Sequence, residues 1–372
     1  MKKLRKIAIL PGDGIGPEVI DQAVKIVEAL NDKEQLKIEF TYADIGAVAI
    51  DNHGDPFPEE TKKICLESDA VLLGAIGDPK YDNDLEIKVR PEQGLLALRK
   101  ALKLYANVRP IKAYESLLDF SPLKKEVIKG VDFVIYRELT GGIYFGEKGL
   151  NKRGDKAYDT CQYSKNEIER IARPAFEAAK KRRNILTLID KANVLETSRL
   201  WRRVVQDLSH EYPEVTVDYL YVDNAAMQII QNPKRFDVLL CGNMFGDIIS
   251  DESSVIAGSL GLLPSASFGK KHCLFEPVHG SYPQAAGQDK ANPIAAILST
   301  AMMFEHFGMQ AQANDIRYAV QRCIKESILT EDLKPKILTG CSELGDIIHT
   351  LIYDDMIDIN SEKIQTAKSV II

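Results

Sequence analysis

The sequence predicts an α/β protein in which a mixed, mostly parallel sheet is flanked by helices and the chain divides into two domains. Three observations lead there. Strand-like and helix-like segments alternate from residue 6 onward, and such alternation implies parallel strands joined by crossover helices. The 372 residues exceed what one core usually holds, at roughly one domain per 150 residues. Three strands in succession lead into polar residues, namely Asp190-Lys191, Asp223-Asn224 and Asn243 with Asp247. The C-terminal ends of strands are where open α/β sheets place their ligands.

Residues 6–10 read as a short buried strand. An amphipathic helix follows, with Ile20, Ala23, Val24, Val27 and Leu30 on one face and Pro17 in its first turn. The turn between them carries Gly12, Gly14 and Gly16, which is not the G-x-G-x-x-G spacing of a dinucleotide fold. The fold is therefore read as not Rossmann. Leu36, Ile38, Phe40 and Tyr42 alternate as a strand, residues 58–68 suit a helix and residues 70–76 a buried strand. A polar loop then leads to a helix over 90–104 and to strands at 105–110 and 131–135. The glycine-containing piece 147–158 has no helical period and suits an extended arm or hairpin as well as a surface loop. Ser164 with Glu167 forms a capping box for a helix to residue 183, which Pro174 should kink. Strands follow at 185–189, 215–221 and 236–241, with a helix carrying Trp201 between the first two. Residues 258–269 are rich in Gly, Ser and Pro, residues 276–292 read as a loop, and three apolar helices start near Pro293, Asn314 and Glu343.

Composition narrows the function. A net charge of -6 without a long basic block gives no footprint for nucleic acid. The longest apolar run, 70–76, is far short of the ~20 residues that span a bilayer, so no membrane segment is expected. The apolar part of the opening MKKLRKIAIL is cut off by Pro11-Gly12 and does not suit a signal peptide. Six scattered cysteines, none in a CxxC pair, fit reduced cytoplasmic thiols better than zinc ligands.

Asp247 and Asp251 stand one helical turn apart in an otherwise apolar segment. Like charges so placed repel unless a cation joins them. Carboxylate oxygens suit Mg²⁺ or Mn²⁺, while a solvated acidic face is the plain alternative. Arg99, Arg109 and Arg137 each interrupt or close an apolar element, where burial would be costly without an anion. Guanidinium pairs with carboxylate through two parallel bonds, so three arginines suit a substrate with several carboxylates as well as three structural ion pairs. Lys191 is a candidate base or a partner of Asp190, and Tyr144 a proton donor or a packed aromatic. His279 could line a cofactor loop.

The segments PGDGIGPEV, RPEQGLLALRK, ANVRP, RELTGGIYFGE, YSKNEIERIAR, DKANVLETSRLWR, YVDNAAMQ, NMFGDIISDE, GSLGLLPSAS, EPVHGS and ANP occur in that order. Together they resemble the metal-dependent β-decarboxylating dehydrogenases of the isocitrate/isopropylmalate type, over residues 6–300 and into the later helices. The resemblance implies a discontinuous cofactor-side domain, 1–104 with 258–372, and a substrate and dimerisation domain, 105–257, with an intersubunit arm near 147–163.

It also implies the site. Arg99, Arg109 and Arg137 would bind substrate carboxylates, Asp223, Asp247 and Asp251 the metal, and Lys191 and Tyr144 would transfer protons. Asp223 and Lys191 would reach the active site of a partner subunit, making the enzyme a homodimer. Asp78, Glu92, His279, Gly280, Ser281, Tyr282, Pro283, Gln284, Ala285, Gly287 and Asn292 fall where the family holds NAD. The metal would polarise the 2-hydroxyl and then the new carbonyl while hydride leaves C2 and the β-carboxylate departs as CO₂.

Substrate choice would rest on Leu95, Leu96 and Val194, with Asn193 beside them. Two leucines offer apolar contact where isocitrate-type relatives hold a third carboxylate; burying an isopropyl group contributes about 2 kcal/mol. Without the resemblance, helix core is an equal reading for them. NAD-using relatives resemble GSAPD-x-AG, whereas Gln284 replaces that Asp here, so NAD is expected with weaker exclusion of NADP. The expected reaction is NAD⁺-dependent oxidative decarboxylation of (2R,3S)-3-isopropylmalate to 4-methyl-2-oxopentanoate for leucine synthesis. Isocitrate, homoisocitrate or tartrate are the alternatives within the family, and a non-redox metal lyase or carboxylate-binding protein the alternative outside it.

Overall fold

The computed structural model describes residues 3–81 and 88–353. The polar stretch 82–87 and the tail 354–372, which the sequence assigns to a loop and to the cofactor-side domain, lie outside the described residues. The chain forms two units, one from the segments before Tyr105 and after Ala257, the other from Tyr105–Ala257.

The first unit opens with β1 (Arg5–Gly12), α1 (Gly16–Lys33), β2 (Ile38–Tyr42), α2 (Ala47–His53), α3 (Glu59–Glu67), β3 (Ala70–Ala75) and α4 (Pro91–Ala101). The second contains β4 (Ala106–Lys112), α5 (Lys125–Ile128), β5 (Asp132–Glu138), β6 (Lys148–Leu150), β7 (Ala157–Asp159), α6 (Lys165–Lys181), β8 (Ile185–Asp190), α7 (Glu196–Ser209), β9 (Thr216–Tyr221), α8 (Val222–Gln231), β10 (Val238–Cys241) and α9 (Asn243–Ser254). The first unit resumes with β11 (Pro264–Phe268), β12 (Cys273–Pro277), α10 (Ile294–His306), α11 (Gln310–Glu326), β13 (Ile328–Leu329), β14 (Ile337–Leu338) and α12 (Cys341–Tyr353).

Strands of the first unit follow the order β2-β1-β3-β12-β11 and those of the second β4-β5-β10-β8-β9. In each, one antiparallel pair, β11 with β12 or β4 with β5, joins otherwise parallel neighbours. Every residue of β3 is buried, as expected of a continuous apolar run covered on both faces. Helix α10 is buried from Ile294 to Glu305, and a helix that is apolar all round belongs inside a core.

Several local expectations change. The Gly/Ser/Pro-rich run 258–269 contains the buried strand β11, and β12 ends at Pro277, inside the 276–292 loop reading. The small side chains of β11, such as buried Ser265 and Ser267, give no hydrophobic period. Tyr42 is exposed at the end of β2, an edge strand, so its alternation does not mark a buried face. The 147–158 piece takes the hairpin alternative, with β6 antiparallel to β7 and a turn tied by the Asn151 side chain to the Asp155 and Lys156 amides. Ser164 and Glu167 form their capping box, and α6 is assigned continuously through Pro174.

Candidate active site

The site of the second unit is built on α9. Asn243, Gly246, Asp247, Ser250 and Asp251 recur at three- and four-residue spacing, which puts them on one helical face. The stem of Arg137, from β5, crosses this face at Gly246; a Cβ there would lie 2.7 Å from Arg137 Cγ. With its stem so placed, the buried guanidinium donates through Nη1 to Asp247 Oδ1 and through Nε and Nη2 to Asn243 Oδ1, at 3.2 and 3.0 Å. Tyr144 donates its hydroxyl to the other oxygen of Asp247 at 3.0 Å. Partial burial first, and then the Asp247 charge, push this phenol above its ordinary range, so it is held as the protonated, donor form.

Arg109, from β4, approaches the next turn. Its Nε donates to Asn107 Oδ1 at 2.8 Å and its Nη1 to Ser250 Oγ at 2.7 Å and Asp251 Oδ1 at 3.3 Å. The two aspartates thus each face a buried arginine. Asp251 is nonetheless 68% exposed at its side chain, so oxygens remain open outward. Two hard carboxylates one turn apart, Asp251 open outward and Asp247 within reach once it turns from Tyr144, fit Mg²⁺ or Mn²⁺ with positions left for substrate oxygens. Among the described residues of one chain, no group of three or more His, Cys, Asp or Glu side chains could hold a metal, so Asp223 does not join Asp247 and Asp251 there. Asp223, in the first turn of α8, instead accepts from Lys191 Nζ at 2.6 Å. Lys191 is not the partner of its neighbour Asp190, which is buried and held by Arg202 at 2.5 and 3.1 Å. Asn193 and Val194 are exposed just beyond it.

In the first unit, Arg99 forms an ion pair with Glu276 Oε1 at 3.0 Å, and its buried Nε has no partner among the described residues. Leu95 packs partly on the core, whereas Leu96 is 41% exposed, so helix core does not explain Leu96. Glu92 is exposed on the same helix, and Asp78 accepts from the Lys80 amide at 3.0 Å. The loop from His279 to Gly287 is pinned at both ends: Ser281 O accepts from Ile15 N at 2.8 Å, and Gly287 N donates to Glu18. Gly14 is indispensable to this seam, since its φ is +60° and a Cβ would sit 2.0 Å from Ser281 O. Gly280, Tyr282 and Gln284 are exposed, Ser281 and Ala285 buried, and Pro283 lies between. Tyr282 adopts φ 36°, a left-handed conformation that bulky residues rarely take. Burial lowers the His279 pKa, favouring neutral imidazole. The Asn292 side chain accepts from Ile294 N at 3.0 Å and donates to Asp332 at 3.1 Å, which commits its amide to the fold.

Asn107, Asn243, Gly246 and Ser250 escape sequence reasoning as site residues, although the helical spacing on α9 carries a signal for three of them. Asp13 escapes it as well: its buried carboxylate accepts from the amides of Ala47, Val48 and Gly77 at 2.8 to 2.9 Å, tying three loops together.

The sequence profile described as isocitrate/isopropylmalate dehydrogenase matches residues 6–348. The chain belongs to this family. Among curated relatives, the 3-isopropylmalate dehydrogenase of Bacteroides fragilis is 55% identical over 329 residues, covering 88% of this chain and 93% of the relative. That of Thermotoga maritima is 55% identical over 349 residues, covering 92% and 98%. The crystal structure of isocitrate dehydrogenase from Methylococcus capsulatus superposes with a TM-score of 0.83 at 33% identity, covering 94% of this chain and all of that one. The protein is thus an oxidoreductase of this family with its α/β fold, which sets aside the non-redox lyase and the simple binding protein. No helix among the described residues is long and apolar enough to cross a membrane.

Proposed function

We propose that the protein converts (2R,3S)-3-isopropylmalate and NAD⁺ into 4-methyl-2-oxopentanoate, CO₂ and NADH, with Mg²⁺ or Mn²⁺, as a cytoplasmic homodimer serving leucine synthesis. The observation that carries this reading is the pairing of two buried guanidiniums, Arg109 and Arg137, with two outward carboxylates on one helix face, in a chain 55% identical to enzymes bearing that name.

Arg109 and Arg137 bind and orient the carboxylates of the dianion, with Arg99 as a third cation; fixing reactants in this way removes much of the entropic barrier. Asp247 and Asp251, with Asp223 as the further ligand, would hold a divalent ion, which would supply Lewis-acid polarisation at the substrate 2-oxygen. Lys191 takes the 2-hydroxyl proton, and NAD⁺, when bound, would accept the hydride from C2. The C3 carboxylate leaves as CO₂, and Tyr144 supplies the proton that replaces it at C3. Lys191 and Asp223 perform these tasks for the partner's site, which makes the dimer the active form. Leu95, Leu96 and Val194 form the apolar wall for the isopropyl group. The segment His279 to Gly287, with Asp78, Glu92 and Asn292, forms the NAD side, where Gln284 accepts hydrogen bonds without repelling a 2′-phosphate.

The test is a panel assay of purified protein with isopropylmalate, isocitrate, homoisocitrate and tartrate, each with NAD or NADP, with and without Mn²⁺. NADH formation that is fastest with isopropylmalate and needs metal is the expected result. A higher kcat/KM for any of the other three acids would replace the substrate, and activity untouched by chelator would remove the metal.

A further inference from the structure

The two arginines of the α9 site are gripped alike. In each, a neutral amide oxygen takes Nε, Asn107 Oδ1 for Arg109 and Asn243 Oδ1 for Arg137. Asn243 does more than its counterpart. Only 1% exposed, it also accepts from Arg137 Nη2 at 3.0 Å, and its Nδ2 donates to the carbonyl of Gly141 at 3.1 Å. Its backbone N–H donates to the hydroxyl of Tyr163 at 2.8 Å, a ring seated against Gly141, Gly142 and Gly242, where any Cβ would crowd it. Asparagine at the start of a helix ordinarily serves as a cap. Here Gly242 holds the N-cap position and no side chain caps the helix, so the Asn243 carboxamide is committed entirely to Arg137 and Gly141.

We infer that Asn243 is a positioning residue that fixes the plane of the Arg137 guanidinium and, through Gly141, the turn that carries Tyr144. Substrate carboxylate binder and proton donor are thereby held in one frame. The inference rests on the roles proposed above for Arg137 and Tyr144. The choice of amide over acid follows from charge. A carboxylate at 243 would accept the same two hydrogen bonds, but it would neutralise the cation that must attract the substrate and would lose the donor to Gly141. A shorter side chain would free the guanidinium to turn fully onto Asp247, the carboxylate it already touches.

The test compares Asn243→Asp and Asn243→Ala with the parent enzyme by kinetics and by crystal structure. Asn243→Asp, nearly isosteric, should still unfold cooperatively, at a lowered melting temperature, and keep the KM for NAD while its KM for the dicarboxylate rises roughly 10–100-fold, the loss expected when a charge-assisted contact fails. Asn243→Ala should lose kcat as well, and its structure should show the guanidinium rotated onto Asp247. An unchanged dicarboxylate KM in Asn243→Asp, or an unmoved guanidinium in Asn243→Ala, would overturn the inference. Should Asn243→Ala fail to fold, Asn243→Asp still tests the inference through its dicarboxylate KM and through its structure, in which loss of the Gly141 contact should shift the turn that carries Tyr144; an unmoved turn would overturn it. If the parent enzyme oxidised no dicarboxylic acid at all, the functional reading would fall, and the crystallographic comparison would still judge Asn243.

Discussion

Lys191 donates to Asp223 across 2.6 Å, from the end of β8 to the first turn of α8, while the adjacent Asp190 is buried beneath Arg202. The ammonium hydrogen bond is the leading cause that holds the Asp223 carboxyl below the ordinary range. The contact sets the proposed base and the proposed metal ligand side by side. Lys191→Met should lower kcat by about 10²–10⁴-fold, the usual worth of a positioned acid or base, with little change in dicarboxylate KM. Steady-state kinetics at saturating metal check this. A comparable loss in KM alone would reassign Lys191 to binding.

Asp247 faces both Arg137 and Tyr144, and one of its oxygens must turn outward to meet a cation. Asp247→Asn keeps the shape and removes the charge. Turnover and metal stimulation should vanish together, measured as NADH formation against Mn²⁺ concentration. Substantial Mn²⁺-stimulated activity would show that Asp247 is no ligand.

Exposed Leu96 contributes apolar surface where the isopropyl group is proposed to lie. Leu96→Ala should cut kcat/KM for isopropylmalate roughly tenfold, as loss of about 1–2 kcal/mol of apolar contact implies, and leave kcat/KM for malate, which lacks the branch, nearly unchanged. Equal losses on both acids would place Leu96 in general packing.

Gln284 lies exposed in the loop proposed for NAD. Gln284→Asp should sharpen the preference for NAD over NADP by repelling the 2′-phosphate. The measurement is the ratio of kcat/KM for the two nucleotides, and an unchanged ratio would remove Gln284 from cofactor choice.

Burial lowers the pKa of His272, His279 and His306. Below the ordinary histidine value of about 6.5 the unfolded chain therefore binds more protons than the folded one, so stability is kept above that value and lost as pH falls through the window beneath it. The melting temperature should decline from pH 7 to pH 5. His306 stands 5.2 Å from Phe268 and 6.2 Å from Phe275, so His306→Met, which keeps an apolar contact and cannot titrate, should shrink the decline.

The sequence by itself determined the α/β class, the apolar strand β3, the capping box of α6 and the two aspartates of α9, because each is written in local periodicity or in a short motif. Ordered motifs also named the family and marked Arg109, Arg137, Tyr144 and Lys191 as candidates. Tertiary structure decided who pairs with whom. That Lys191 meets Asp223 rather than Asp190, that Asp13 ties three loops, and that Asn243 and Ser250 hold the arginines depend on segments far apart in the chain. Likewise β11 emerges from a Gly/Ser/Pro-rich stretch because pairing with β12 supplies what its small side chains do not. A hydrogen bond between distant residues leaves no period in either segment, so only the packed chain reveals which polar groups orient the charges.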